Sequence, residues 1–383
     1  MQPDRNAMSD ADFAAELRAW LEAVYPPHWR DPVLRLRGRD AEWWYARQWQ
    51  DGWRAPAWPR EHGGLGLSVE KLILYHRVTE DFGIARTLDH GVKQVGPILV
   101  QYGTEAQRAA CLRPILEGTQ TWCQGYSEPG AGSDLAALRT RAEREGDSFR
   151  VNGQKIWTTQ AEESTHLYFL ARTSAAPKKQ MGISLFLVRR DAPGITVRPI
   201  RNLLGEREFY EVFFDDLLVP ADAVVGAVDQ GWTVAKALLG HERFAQGSPA
   251  LARHTYRLLC AMAGPLGAFD DPAFADRIAR LGCDLSDADA LYAENCAGVA
   301  SGADLGDSLP IAKLVAAELF QAMTECLQDL AAEARARPGC GVSAARIDEA
   351  ARVYLMSRPY TIFGGTAEVQ RNIMARSLLP LRD

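Results

Sequence analysis

The chain has 383 residues, 47% of them hydrophobic and 24% charged, with a formal net charge of −6 and a pI near 5.8. That length supports two or three domains with sizeable cores, and the acidic balance argues against a nucleic-acid partner, which needs a basic surface. No run of roughly 18 apolar residues is present, so no membrane span is expected, and the opening MQPDRNAMSDADF lacks the layout of a signal peptide. The seven cysteines, at 111, 123, 260, 283, 296, 326 and 340, include no C-x-x-C pair and read as reduced core thiols. A cytoplasmic protein without a metal site fits this pattern.

Residues 9–25 read as a helix: Ser9 caps it, acids fill its first turn, Pro26 ends it, and Phe13, Leu17, Leu21 and Val24 form one stripe. A tryptophan-rich stretch follows, with Trp29, Trp43, Trp44, Trp49, Trp53 and Trp58. Acidic flanks and the helical spacing of Trp49 and Trp53 favour packing over a stacking platform for nucleic acid. Gly63-Gly64-x-Gly66 is a turn rather than a phosphate loop, since no Lys or Ser/Thr follows in register. Helices are expected near 68–82, 89–102 and 104–117.

The pattern then changes. Strand-length runs appear at Trp122–Tyr126, Phe149–Trp157, Leu167–Arg172, Ile183–Arg189, Ile195–Ile200 and Val212–Leu218. Phe149–Trp157 reads as a hairpin turning at Asn152-Gly153, with Trp157 and Thr159 on one side of the outgoing strand. Helices resume at Gly231, near 231–262, 273–302, 308–335, 344–358 and 366–377, broken by Gly264-Pro265-Leu-Gly267 and Pro338-Gly339-Cys-Gly341. The expectation is an α+β multidomain chain. It has an N-terminal α-helical domain (1–120), a middle β-barrel or sandwich domain (121–230) and a C-terminal helical bundle (231–383).

Gly125-Tyr-Ser-Glu-Pro-Gly-Ala-Gly-Ser-Asp134 is small, polar and broken by Pro129, Gly130 and Gly132. Such a loop lets a backbone approach a ligand, and Trp157 beside Thr159 suits an aromatic ligand with polar edges. The residues alone leave open a plain surface loop and hairpin.

YSEPGAGSD followed by NGQKIWTT resembles the flavin-binding half of an acyl-CoA dehydrogenase. Further stretches match in family order: Trp58-Pro-Arg-Glu-His-Gly-Gly64, Tyr102-Gly-Thr-Glu105, Pro114-Ile-Leu-Glu-Gly118, Phe213-Phe-Asp-Asp-Leu-Leu-Val-Pro220, Gly231-Trp-Thr233 and Phe363-Gly-Gly-Thr-Ala-Glu-Val-Gln-Arg371. The resemblance implies FAD-dependent α,β-dehydrogenation of an acyl-CoA thioester. A base takes the α-proton, a hydride goes to flavin N5, and electrons pass to an electron-transfer flavoprotein. By resemblance, Gln124, Tyr126, Ser127, Gly132, Ser133, Trp157, Thr159, Thr366 and Glu368 contact FAD, and Ser133, Arg243, Phe363 and Gly364 contact substrate.

Many members carry the base in a Glu-Gly-Thr motif near the C-terminus, whereas this chain has Gly364-Gly365-Thr366. Glu242 offers a replacement. It continues the stripe of Ala235, Leu238 and Leu239, and the residues three and four away are Leu239, Leu238, Ala245 and Gln246, so no intrahelical partner exists. Isovaleryl-CoA and long-chain members resemble this arrangement, with a Glu-Arg pair on the same helix. Arg243 points about 100° away around the helix and by resemblance faces CoA, with a surface salt bridge as the alternative. His241 is taken as structural.

Two segments depart from the family. Gly267-Ala-Phe-Asp-Asp-Pro272 and Glu333-Ala-Arg-Ala-Arg-Pro-Gly-Cys-Gly341 stand where members grip the adenine end of FAD across a subunit interface, and neither matches. This is similar to the bacterial steroid-side-chain type, in which two different chains share an assembly. Because the family buries its C-terminal helices between subunits, the resemblance implies a homodimer or homotetramer, with a heterotetramer containing a sister subunit as the variant. The competing readings are a flavin oxidase or monooxygenase on the same fold, and a weakly catalytic partner subunit.

Overall fold

A computed structural model describes residues 4–237, 247–303 and 305–379. The chain divides into two compact units, one of Met1–Arg30 with Leu34–Leu239 and one of Asp31–Val33 with Gly240–Asp383.

The first unit opens with α1 (Asp10–Val24), where the Ser9 hydroxyl accepts from the Asp12 backbone N–H at 3.1 Å. Phe13, Leu17 and Leu21 are fully buried, as the stripe requires. α2 (Gly38–Gln50) is an element the sequence pattern did not reveal. It carries Trp43, Trp44 and Trp49 but ends before Trp53, so the spacing of Trp49 and Trp53 is not one helical face. Trp20 stacks on Trp44 and Trp53 at 5.3 and 5.6 Å, and Arg5 lies 3.7 Å over Trp53. The cluster is packing. Gly64 is required by closeness, since a Cβ there would lie 2.2 Å from the Trp58 carbonyl oxygen. α3 (Val69–Phe82), a π-helical turn (Gly91–Val95), α4 (Gly96–Tyr102) and α5 (Glu105–Glu117) complete the helical part. Thr104 and Gln107 form a capping box at the start of α5.

Seven strands follow: β1 (Trp122–Gly125), β2 (Arg141–Glu145), β3 (Ser148–Thr159), β4 (His166–Arg172), β5 (Ile183–Arg189), β6 (Ile195–Arg201) and β7 (Arg207–Pro220). They form one sheet in the order β1-β4-β2-β3-β7-β6, with β5 also paired to β4. β2 escaped the sequence reading because RAERE buries only Ala142.

The expected hairpin at Asn152-Gly153 is corrected. β3 runs straight through those residues, and the turn is Gly146-Asp147, between paired Glu145 and Ser148. Asn152-Gly153 marks a register shift against β7 instead. A Cβ at Gly153 would lie 2.6 Å from Thr140 Oγ1, so glycine there serves a close strand approach. A final helix of this unit, α6, opens at Gly231 and is described to residue 237.

The second unit contains α7 (Ala250–Leu266), α8 (Pro272–Ala300), α9 (Ser308–Ala336), α10 (Ala344–Ser357) and α11 (Ala367–Leu378). α9 is its axis: Phe320, Met323, Cys326, Leu327 and Leu330 are buried against Leu259, Met262 and Ala263 of α7 and Val353 of α10. The helix expected over 231–262 is not continuous, because residues 247–249 are non-helical and Pro249 stands immediately before α7. Among the described residues the cysteines form no disulfide, but Cys283 is exposed rather than a core thiol. Among the described residues no helix is long and apolar enough to cross a membrane.

Candidate functional site

In the first unit the expected ligand residues come together along β1, the loop after it and the end of β3. Gln124 is half-buried on β1, and Tyr126 follows it, its ring edge-on to Tyr168 of β4 at 5.7 Å. The Ser127 carbonyl accepts from Ile156 N–H of β3 at 2.9 Å, which lays the loop along the strand that carries Trp157. Gly132 and Ser133 are exposed, and a Cβ at Gly130 or Gly132 would meet nothing within 4 Å. Neither packing nor a left-handed backbone demands glycine at those two positions. Their surface is open to an approaching group.

Trp157 is 56% exposed and has φ of +61°, a left-handed conformation rare for a bulky residue. The ladder between β3 and β7 slips between Lys155 and Thr158, so Trp157 sits in a bulge. Phe209 of β7 packs edge-on to it at 5.9 Å. Thr158 is buried and Thr159 half-buried. Trp157 and Thr159 thus keep the more open side, but through a bulge rather than simple alternation.

Beneath this surface lies a feature that sequence reasoning missed. Lys155 is completely buried, and its ammonium donates to Glu128 Oε1 at 2.7 Å and to the Tyr126 carbonyl at 3.2 Å. Glu128 also accepts from the backbone N–H groups of Arg139 and Thr140, at 2.5 and 3.0 Å. Burial pulls the Lys155 ammonium down to about 8 against the opposing pull of Glu128. For Glu128, burial acts upward but is outweighed by Lys155 and the hydrogen bonds, so its carboxyl stays below the usual range. The second effect is the firmer one, because the carboxylate is held by three donors. At the far end of the loop Asp134 pairs with Lys179. Phe149 and Val151 on the buried face of β3 were the available signal, since their alternation continues to residue 155.

The remaining residues belong to the second unit. Gly364 (φ +66°) and Gly365 (φ +91°) form a left-handed turn before α11, whose N-cap Thr366 accepts from Val369 N–H at 3.2 Å. Gly364 is exposed, as are Ile362 and Phe363. The Glu368 carboxyl is held below its usual range, first by its own backbone N–H and then by the Thr366 hydroxyl. It therefore occupies the N-terminus of its own helix, where an anionic ligand would compete with it. Glu242 and Arg243 lie outside the described residues.

A flat aromatic ligand with polar edges and an anionic middle fits the first-unit group. The bulged indole offers a ring face, the open glycines offer backbone N–H, and Ser127 and Ser133 offer hydroxyls. FAD has this form.

Comparison with known proteins agrees along the whole chain. Family models described as acyl-CoA dehydrogenase N-terminal, middle and C-terminal domains match residues 9–119, 123–217 and 229–379. The chain is 37% identical over 380 residues to acyl-CoA dehydrogenase IpdE1 of Mycobacterium tuberculosis (strain ATCC 25618 / H37Rv), covering 97% of each. Among solved structures it resembles the Tcur3481-Tcur3483 steroid ACAD, with TM-score 0.86, 28% identity and 100% of each chain covered. It also resembles the ChsE4-ChsE5 complex from Mycobacterium tuberculosis, with TM-score 0.82, 28% identity and 98% of each chain covered.

Proposed function

The chain belongs to the acyl-CoA dehydrogenase family, an FAD-dependent family of oxidoreductases, and from that premise we propose that it converts an acyl-CoA thioester to its enoyl-CoA. Trp157 carries the reading, as an exposed indole fixed by a bulge above a loop that is clamped by a buried ion pair. The modules we assign are 1–120, 121–230 and 231–383. Gln124, Tyr126, Ser127, Gly132, Ser133, Trp157 and Thr159 of the first unit hold FAD, and Thr366 and Glu368 at the start of α11 are assigned to the same cofactor, Glu368 with its carboxylate turned away from the pyrophosphate. Bound FAD supplies the acceptor for the hydride that leaves Cβ. Glu242 takes the α-proton, which requires a carboxylate shielded from water. Arg243 faces the CoA portion, while Ser133, Phe363 and Gly364 border the acyl portion.

The names of the relatives point to steroid-derived acyl groups as the first class to try, ahead of simple fatty acyl groups. An electron-transfer flavoprotein takes the electrons onward. The assembly is a homodimer, a homotetramer or a heterotetramer with a sister subunit. The solved ChsE4-ChsE5 complex favours the last.

The test is anaerobic mixing of the purified flavoprotein with a panel of acyl-CoAs while flavin absorbance is followed. Bleaching by at least one thioester is expected. Glu242→Gln should keep bound FAD while its flavin is reduced about 10² more slowly. Reduction at the wild-type rate would remove Glu242 from the role. A second reading, a weakly catalytic subunit that supports a sister chain, predicts bleaching only after that chain is added.

A further inference from the structure

Lys313 is a cation in the wrong place for an ordinary helical lysine. It lies on α9 among Leu309, Pro310, Ala316 and Ala317, its neighbours three and four residues away, and is 2% exposed. Burying an ammonium is expensive unless it is well partnered. Among the described residues Lys313 forms no salt bridge. Its Nζ donates instead to the Gly365 carbonyl at 2.8 Å. The fully buried Gln370 of α11 works on the same turn, its Nε2 lying 3.3 Å from both the Gly364 and the Gly365 carbonyls. Glu318 on α9 and Glu368 on α11 support the charge from further away, and burial still brings Lys313 down to about 8.

The segment leading into the turn is held from the same helix. Gln321 of α9 donates to the Ser357 and Arg358 carbonyls and to Thr361 Oγ1, at 3.1, 3.0 and 3.1 Å. The outer face of the segment is apolar and open, with Ile362 63% and Phe363 40% exposed. Two consecutive left-handed residues do not stay fixed by themselves, since glycine moves freely among conformations. Two buried polar side chains on one short turn specify a position.

We propose that Lys313, assisted by Gln370, is a positioning residue for the reaction. By gripping the Gly365 carbonyl while Gln370 holds both the Gly364 and the Gly365 carbonyls, it fixes the two-glycine turn, so that the turn's open side receives the acyl group. This rests on the reading that Gly364 borders substrate.

The test compares Lys313→Met, Lys313→Arg and Gly364→Ala in the FAD-loaded protein. The substrate is whichever of butyryl-CoA, isovaleryl-CoA, octanoyl-CoA, palmitoyl-CoA and a steroid carboxylic acid CoA thioester bleaches the flavin fastest. The readouts are FAD content, thioester Kd from the flavin absorbance change in a Glu242→Gln background, and separate kcat and KM. Lys313→Met should keep its FAD, raise Kd and KM about tenfold and leave kcat within about twofold, because a loose turn weakens ground-state and transition-state binding alike. Lys313→Arg, which keeps charge and donors, should recover most of that loss.

If Lys313→Met binds the thioester as wild type does while Gly364→Ala binds it more weakly, Lys313 is not a positioning residue and the substrate reading stands. If Gly364→Ala changes neither Kd nor kcat, the substrate reading fails and the proposal with it. Should Lys313→Met not fold, Gln370→Leu decides in its place: weakened thioester binding supports the clamp, and unchanged binding overturns it.

Discussion

Replacing Lys155 with methionine tests the loop–strand architecture most directly. Methionine keeps the bulk of the stem but removes the ammonium, leaving the Glu128 carboxylate buried without its cation. Breaking a buried ion pair from one side costs about 3–5 kcal/mol. Here Glu128 keeps the Arg139 and Thr140 N–H donors at 2.5 and 3.0 Å, and the buried ammonium's own desolvation cost disappears. We therefore expect about 3 kcal/mol, or roughly 6–12 °C in melting temperature for a unit of this size.

Urea unfolding monitored by tryptophan fluorescence measures the loss, and FAD retention on dialysis measures its local consequence. Glu128→Gln/Lys155→Met removes both charges and should recover at least half of the loss, because a neutral pair leaves no stranded ion. A single variant within about 0.5 kcal/mol of wild type, or a double variant no better than the single, would refute the view that this pair holds the loop on β3.

Glu128 also sets an acid limit. Its folded-state pKa lies below the ordinary 4.5, so its contribution is complete above the unfolded value and is lost as pH falls through the folded one. Glu128→Gln should flatten the stability profile below about pH 4.5, checked by urea midpoints from pH 3 to 7. Trp157→Ala removes the ring face and should raise the FAD Kd about tenfold, read by isothermal titration into apoprotein. An unchanged Kd would take Trp157 out of the cofactor site. Gly365→Ala places a Cβ at φ +91° and 2.5 Å from the buried Gln370 Nε2, and should destabilise the second unit by about 2 kcal/mol. A melting temperature equal to wild type would show that the turn yields freely.

Much of the fold was legible wherever one local pattern sufficed. Ser9, the Phe13–Leu17–Leu21 stripe and Pro26 define α1 without help from the rest of the chain. β2 was invisible because its neighbours supply almost all its contacts, and RAERE has no alternation to show. The Asn152-Gly153 signal misled because the same dipeptide that favours a tight turn also serves a bulge where Thr140 crowds the strand. At the site, loop glycines and Trp157 were readable as candidate ligand contacts and are exposed, but the pairing of Glu128 with Lys155 joins residues 27 apart and needs the sheet to bring them together. Lys313 could have been found by the reasoning applied to Glu242, a lone charge among apolar helical neighbours. Its target, a backbone carbonyl 52 residues away, could not.

Lys313 and Gln370 hold the Gly364–Gly365 turn by its main-chain oxygens, and Gln321 holds much of the approach to it in the same way. Such a grip ignores what the gripped residues carry. On the proposed reading, Ile362 and Phe363 can therefore be exchanged for other side chains with little change in where the backbone runs, and acceptance of different acyl shapes can drift in sequence while the turn stays in place. Variation would be expected to accumulate at 362 and 363 and to be resisted at 313, 321 and 370, three positions that present no side chain of their own to a substrate.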